Sequence, residues 1–360
     1  MARPSVAHID LGALRGNVGV VRDLAPESRL LAVVKANAYG HGAVAVAAAL
    51  EPVVDALAVA CLEEAVELRE VGISAPILLL EGIFEAAELA EAVARDLWLT
   101  VASTHQLAQL ETARLPSPLQ CWLKVNTGMN RLGVPLELAA DCYRRLGACP
   151  NTRGDVVLYT HLASADSLHS DATARQLAAF DGIAVDAQRS AANSAGVLAW
   201  PASHYDWVRP GYMLYGNSPL DAAHPNTAAL RPVMTLASRV ISLCDVEAGA
   251  AVGYGGTWVA RRRARIATVA IGYGDGYPRH APNGTPVLVN GRRAPLAGRV
   301  SMDMITVDVS GVPDVAEGTG VVLWGEGLPV DEVARSAGTI GYELTTRMTG
   351  RTPRISRDGD

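Results

Sequence analysis

The stretch Ala32-Val33-Val34-Lys35-Ala36-Asn37-Ala38-Tyr39-Gly40-His41-Gly42 sets a lysine at the exit of an apolar run and follows it with a glycine-rich turn. Leu30 to Val34 reads as a short, fully buried strand and Ala43 to Leu50 as a helix, so Lys35 falls where a strand hands over to its loop. Barrels of alternating strands and helices keep their chemistry at that edge. An amine partly withdrawn from water loses proton affinity and becomes able to form an imine with an aldehyde. Taken alone, the signal is shared with lysines that lay their stems over apolar surface and keep the ammonium wet.

Outward from this stretch the same order repeats. Apolar runs at Ala56–Ala60, Pro76–Leu80, Leu97–Ala102, Leu119–Val125 and Val156–His161 are each followed by residues with helical spacing. The helical stretches are Leu62–Val71, Phe84–Ala94, His105–Ala113, Leu136–Leu146 and Thr173–Arg189, with further strands expected near Ala191 and Tyr205. The pattern predicts a TIM-like (β/α)8 barrel over residues 1–230, with an open doubly wound sheet as the rival. After Leu230, helical spacing gives way to Val, Gly and Arg-rich alternation at Arg239–Leu243, Arg265–Ile271, Pro286–Val289 and Met304–Val309. This predicts a C-terminal all-β domain over 231–360, with the boundary near Arg231-Pro232. Asn290-Gly291, between two apolar runs, signals a hairpin.

Composition narrows the function classes. A chain of 360 residues with 49% hydrophobic content can bury a large core. Its net charge is −6 with both signs interspersed, so no basic face exists to track nucleic acid. Cys61, Cys121, Cys142, Cys149 and Cys244 show no paired zinc or redox spacing, so no metal is expected and a reducing cytoplasm is the simplest home. No apolar stretch is long and charge-free enough for a bilayer, which argues against export or insertion.

Other clusters sit at strand ends as Lys35 does. Lys124-Val125-Asn126-Thr127-Gly128-Met129-Asn130-Arg131 puts two cations beside a glycine turn, which fits either a solvated loop or an arginine that meets a substrate carboxylate. His161 closes another strand, in a structural or a catalytic role. Asn193-Ser194-Ala195-Gly196 and Arg209-Pro210-Gly211-Tyr212 would close the last two units, where amides and a hydroxyl could cradle a phosphate.

In their order these segments resemble the fold-type III, pyridoxal-phosphate-dependent alanine racemases over nearly the whole chain. The likeness continues through Thr160-His161-Leu162-Ala163-Ser164-Ala165-Asp166, Gly253-Tyr254-Gly255, Ile271-Gly272-Tyr273-Gly274-Asp275-Gly276-Tyr277, Gly298-Arg299-Val300-Ser301-Met302-Asp303 and Gly341-Tyr342-Glu343. The resemblance implies that Lys35 holds pyridoxal 5′-phosphate as an imine and acts as the base for D-alanine. Tyr254 would be the base for L-alanine on the opposite face, because racemisation needs an acid/base group on each side of a planar carbanion. A phenol is a weak base unless cations favour its anion, so a positive field is expected at Tyr254.

The same resemblance places Tyr39, Asn193, Ser194, Gly211, Tyr212 and Tyr342 at the cofactor, mainly its phosphate. Arg209 would face the pyridine nitrogen, with His161 supporting it. Arg131 would meet the substrate carboxylate, joined by Met302 and Asp303, and Lys124, carbamylated, would pair with Arg131. Asp166, Tyr273, Arg279, Arg299 and Ile340 would line an entry corridor. Tyr254, Met302 and Asp303 would reach the neighbouring subunit of a head-to-tail homodimer with composite sites. The product D-alanine would supply peptidoglycan.

The chain departs from common family choices at Asn126, Asn130 and Tyr212, which bears on strict preference for alanine. A serine or broad-specificity racemase is therefore the nearest alternative. A fold-type III decarboxylase is disfavoured by Ser301-Met302-Asp303 where those enzymes carry Cys-Asp. A one-domain pyridoxal-phosphate carrier is disfavoured by the second domain. A phosphosugar barrel enzyme would lack the imine altogether.

Overall fold

A computed structural model describes residues 3–358. The chain divides into two compact units. Leu14–Ala38 with Ala43–Leu230 forms the barrel unit, and Met1–Ala13, Tyr39–Gly42 and Arg231–Asp360 form the β unit.

In the barrel unit, strands Arg29–Val33, Ala56–Val59, Ile77–Leu79, Trp98–Val101, Leu119–Asn126, Thr152–Tyr159, Arg189–Ser190 and Trp207–Val208 pair in parallel, each with the next. The last returns to the first through Trp207↔Arg29 and Val208↔Leu30, so the sheet is a closed eight-stranded barrel and not an open wound sheet. Its β-branched and leucine-rich strands are buried on both faces, as parallel strands clothed by helices must be. Helices Ala43–Leu50, Leu62–Glu70, Glu88–Ala94, Thr104–Thr112, Leu136–Ala148, Ala172–Asp181 and Ser194–Ala199 follow successive strands.

Helix boundaries have local causes. Ser103 caps Thr104–Thr112 by accepting the Gln106 N–H. The helix expected from Phe84 begins at Glu88, whose carboxylate instead takes the Phe84 N–H across a turn. The helix expected to reach Arg189 stops at Asp181 before Gly182. There the Arg189 guanidinium donates to the carbonyls of Phe180 at 2.5 Å and Ile183 at 2.7 Å, adding to the backbone bonds those carbonyls accept from Ile183 and Val185.

Trp98, Trp122, Trp207 and Tyr159 form an aromatic cluster in the barrel unit. Trp122 stands 5.4 Å from Trp207, 5.7 Å from Tyr159 and 6.2 Å from Trp98, centroid to centroid. Trp122 and Tyr159 are fully buried, so this cluster fixes the strands beneath the loops that follow them.

In the β unit, Met234–Val246 is the central strand. It pairs antiparallel with Val6–Asp10, Gly320–Trp324 and Ala264–Val269, and Ala264–Val269 pairs in turn with Ile305–Asp308. Val6–Asp10 also runs parallel to Arg354–Arg357. The N-terminal strand therefore belongs to this sheet and not to the barrel that the sequence predicts over residues 1–230. Asp10 then opens the helix Leu11–Leu24 by accepting the Ala13 N–H at 2.7 Å.

Pro286–Val289 and Arg292–Pro295 form the hairpin signalled by Asn290-Gly291, with φ of 50° and 73° at the two turn residues. The unit is not purely β, since it carries helices Val330–Ser336 and Gly341–Thr346. Gly40 packs so closely on the latter that an added Cβ would stand 1.9 Å from the Thr345 carbonyl oxygen.

Replacing Trp122 by alanine should destabilise the protein by about 3–5 kcal/mol in urea unfolding, the cost of emptying a large aromatic site. A loss below about 1 kcal/mol would show that the barrel repacks around the gap.

Candidate active site

The backbone around Lys35 is strained. Ala36, Asn37, Ala38 and Tyr39 follow it with φ of 52°, 53°, 51° and 53°, a left-handed turn built without glycine. For L-residues that conformation costs roughly 1–2 kcal/mol each, so local bonds must hold it. The Ala38 N–H donates to the Val34 carbonyl at 2.8 Å, and the Ala43 N–H to Asn37 Oδ1 at 2.7 Å. Glu64 accepts the Ala36 N–H at 2.6 Å through one carboxylate oxygen and the Ala60 N–H at 2.8 Å through the other. Beneath, the Tyr215 hydroxyl donates to the Val33 carbonyl and the Val33 N–H to the Pro210 carbonyl, both at 3.0 Å.

Barrel closure gathers cations at the strand ends. Burial, then Arg209, Arg131 and Lys35, lower the proton affinity of Lys124 to a pKa of about 8, with Glu81 the carboxylate acting against them. At Lys124 the influence of these three cations exceeds that of Glu81. Burial and the same cations hold His161 well below the usual imidazole range, so its ring is neutral. Lys124 and Arg209 both approach the Tyr159 ring, at 5.4 and 4.9 Å from its centroid. Desolvation pushes the Tyr159 phenol up to about 12, so it faces them uncharged. This excess favours anionic ligands.

Arg209 is 4% exposed, and burial lowers its pKa to about 10. Its partners are neutral: Ser190 Oγ and the Thr160 carbonyl at 2.5 Å, and the Ala191 carbonyl at 3.3 Å. Ser190 in turn donates to the Trp207 carbonyl at 2.6 Å. The guanidinium is thus fixed without a carboxylate. Ser194 Oγ accepts the Gly211 N–H at 3.0 Å and the Met213 N–H at 3.2 Å, which turns its own proton away from both amides. Asn193 caps the helix Ser194–Ala199 through the Gly196 N–H, and Tyr212 lies buried in the short turn Tyr212–Tyr215.

Asn126 Oδ1 accepts the Gly128 and Asn130 N–H groups at 3.1 and 2.9 Å, closing the loop that carries the exposed Arg131. Asn130 adopts φ 56°, a conformation asparagine tolerates, which accounts for its presence there. Asp166 is exposed, and its carbonyl accepts the Asp221 N–H.

The remaining candidates lie in the β unit. Tyr39 and Tyr342 pack with ring centroids 5.9 Å apart, and burial raises the Tyr39 pKa. Ile340, 62% exposed, leads into the Tyr342 helix. Tyr254 is 67% exposed in a turn between Gly253 and Gly255, both at φ 72°. A Cβ on Gly255 would stand 3.8 Å from the Arg299 guanidinium carbon, so this turn and Arg299 are neighbours. Arg279 lies 6.0 Å from the Tyr273 ring, beside a cleft of about 240 Å³ that also takes in Tyr277, His280, Glu343 and Arg347. Met302 is exposed, while Asp303 pairs with Arg351 at 2.6 Å and its carbonyl accepts from Arg3 at 2.8 Å.

Sequence reasoning missed Glu64, Glu81, Ser190 and the Thr160 carbonyl. Only Glu64 left a signal, as a carboxylate in the first turn of Leu62–Glu70, where helix N-terminal amides attract one. Among the described residues no group of three or more His, Cys, Asp or Glu could hold a metal ion.

The model of the alanine racemase N-terminal domain matches residues 9–219, and that of the C-terminal domain residues 233–356. The chain is 52% identical over 362 residues to an alanine racemase of Chromohalobacter salexigens, covering all of both chains. It is 51% identical to the catabolic alanine racemase of Pseudomonas putida, covering 98% of each. The crystal structure of the biosynthetic alanine racemase from Pseudomonas aeruginosa superposes with a TM-score of 0.95 at 50% identity, over 99% of both chains. The chain belongs to the alanine racemase family, isomerases that interconvert the two enantiomers of alanine.

Proposed function

We propose that the barrel unit holds pyridoxal 5′-phosphate on Lys35, and that Lys35 and Tyr254 move the α-proton of alanine between its two faces. The observation that carries this reading is the grouping of Lys35, Arg131 and Arg209 about the buried Lys124, where their charge outweighs that of Glu81. An anionic cofactor and a substrate carboxylate would neutralise it. When bound, the cofactor supplies an aldehyde for the covalent tie to Lys35 and an electron sink for charge left at Cα.

The other roles belong to side chains. Ser194, its oxygen already committed to two amides, offers its hydroxyl proton to a phosphate oxygen, and Gly211 acts by orienting it. Asn193 and Tyr212 complete that end within the barrel unit. Arg209, held by neutral acceptors, remains charged, and would disfavour protonation of the cofactor's ring nitrogen and so limit competing chemistry. His161 supports it as a neutral imidazole. Arg131 binds the substrate carboxylate.

Lys124 has a lowered proton affinity, so a larger share of its amine is free to take up carbon dioxide. The resulting carbamate would replace a cation by an anion and anchor Arg131. Tyr254 and Met302, 67% and 52% exposed, together with Asp303 serve a second copy of the chain in a head-to-tail homodimer. Asp166, Tyr273, Arg279, Arg299 and Ile340 line the approach. Among the described residues no helix is long and apolar enough to cross a membrane, and we assign the enzyme to the cytoplasm, where its D-alanine feeds peptidoglycan.

A chiral assay of the purified protein with L-alanine, L-serine and L-arginine should show alanine racemised fastest, and Tyr254→Phe should abolish interconversion while cofactor absorbance persists. Equal rates on serine would favour a broader racemase, and near wild-type racemisation by the variant would remove Tyr254 from the mechanism. In ¹³C-bicarbonate, NMR should show a carbamate carbonyl signal that Lys124→Gln lacks. Identical spectra for the two proteins would refute the modification.

A further inference from the structure

We propose that Glu64 is a positioning residue for Lys35, acting through the backbone. The inference rests on the reading of Lys35 as the cofactor lysine. The amide that Glu64 accepts at 2.6 Å is that of Ala36, the nitrogen of the Lys35–Ala36 peptide bond. Fixing that rigid peptide plane fixes the Lys35 carbonyl carbon, and so one of the two backbone bonds at Cα that define the direction in which the side chain leaves the backbone. The second carboxylate oxygen takes the Ala60 N–H at 2.8 Å, just past the neighbouring strand Ala56–Val59. One side chain therefore ties together the exits of two adjacent barrel strands.

The need for such a tie follows from the left-handed run at Ala36, Asn37 and Ala38. None of the three is glycine, so each favours relaxing to an ordinary conformation. Two further bonds hold the run: Ala38 bonds back to Val34, and Asn37 bonds forward to Ala43. Glu64 joins this peptide to a different helix, Leu62–Glu70. Without it the run can unwind at its first residue, and Lys35 loses its fixed departure angle while keeping its chemistry.

The test uses the holoenzyme loaded with pyridoxal phosphate and reads the visible circular dichroism per bound cofactor, which reports a fixed chiral orientation. Glu64→Ala should lower that signal at least about threefold, and kcat by roughly tenfold to a hundredfold, as misplacement of a reacting group does. Glu64→Gln, which exchanges one acceptor oxygen for a donor, should fall between wild type and Glu64→Ala, and it decides the matter if the alanine variant does not fold. A drop in melting temperature with unchanged dichroism per cofactor would overturn the proposal, leaving Glu64 as a helix-start residue only. Absence of a cofactor band in the wild type would instead sink the reading of Lys35 itself.

Discussion

The structure depends on the closure of the barrel by its shortest strands. Trp207–Val208 contributes two residues, yet it pairs with Arg29–Val33 on one side and Arg189–Ser190 on the other. That closure carries Arg209, just beyond the last strand, into the group formed by Lys35, Lys124 and Arg131. The Val33 N–H to Pro210 carbonyl bond and the Tyr215 hydroxyl to Val33 carbonyl bond pin the seam from within. Two-residue strands cannot hold a ring by backbone pairing alone. Trp207 is also packed against Trp122 and Trp98 and covered by the Arg29 guanidinium at 4.4 Å, so side-chain burial supplies what the short ladder lacks.

Closure has an electrostatic cost that function explains. Bringing cations together is unfavourable where Lys124 and Arg209 lie out of water, and the molecule meets it with neutral acceptors and an aromatic face at Arg209 and with Glu81 near Lys124. A core designed only for stability would balance these charges. Leaving them unbalanced stores affinity for anions, which is the use an enzyme acting on an amino-acid carboxylate has for it. The left-handed turn after Lys35 is the backbone counterpart: local strain held in place by Glu64, Asn37 and Val34 beside the lysine proposed to carry the cofactor.

Much of this was legible in the sequence, for reasons that are local. Fully apolar runs such as Leu30–Val34 and Ala56–Ala60 announce parallel strands because both faces are buried, and Asn290-Gly291 announces its hairpin because both residues accept positive φ. What escaped was set by distant partners. Arg189–Ser190 and Trp207–Val208 are too short to show periodicity, and Val6–Asp10 joins the β sheet through strands more than two hundred residues away. The helix end at Asp181 is set by Arg189, which no period in the helix reveals. Among the candidate residues, those at strand ends stood out by type, whereas Ser190 and Glu64 work through hydrogen bonds to backbone and guanidinium that only folding creates.

The most direct measurement of the central claim is chemical fixation of the cofactor. Purified enzyme, reduced with borohydride and digested, should yield a single peptide bearing a pyridoxyl phosphate mass increment on Lys35. Label on another lysine, or no label in enzyme that racemises alanine, would contradict the account.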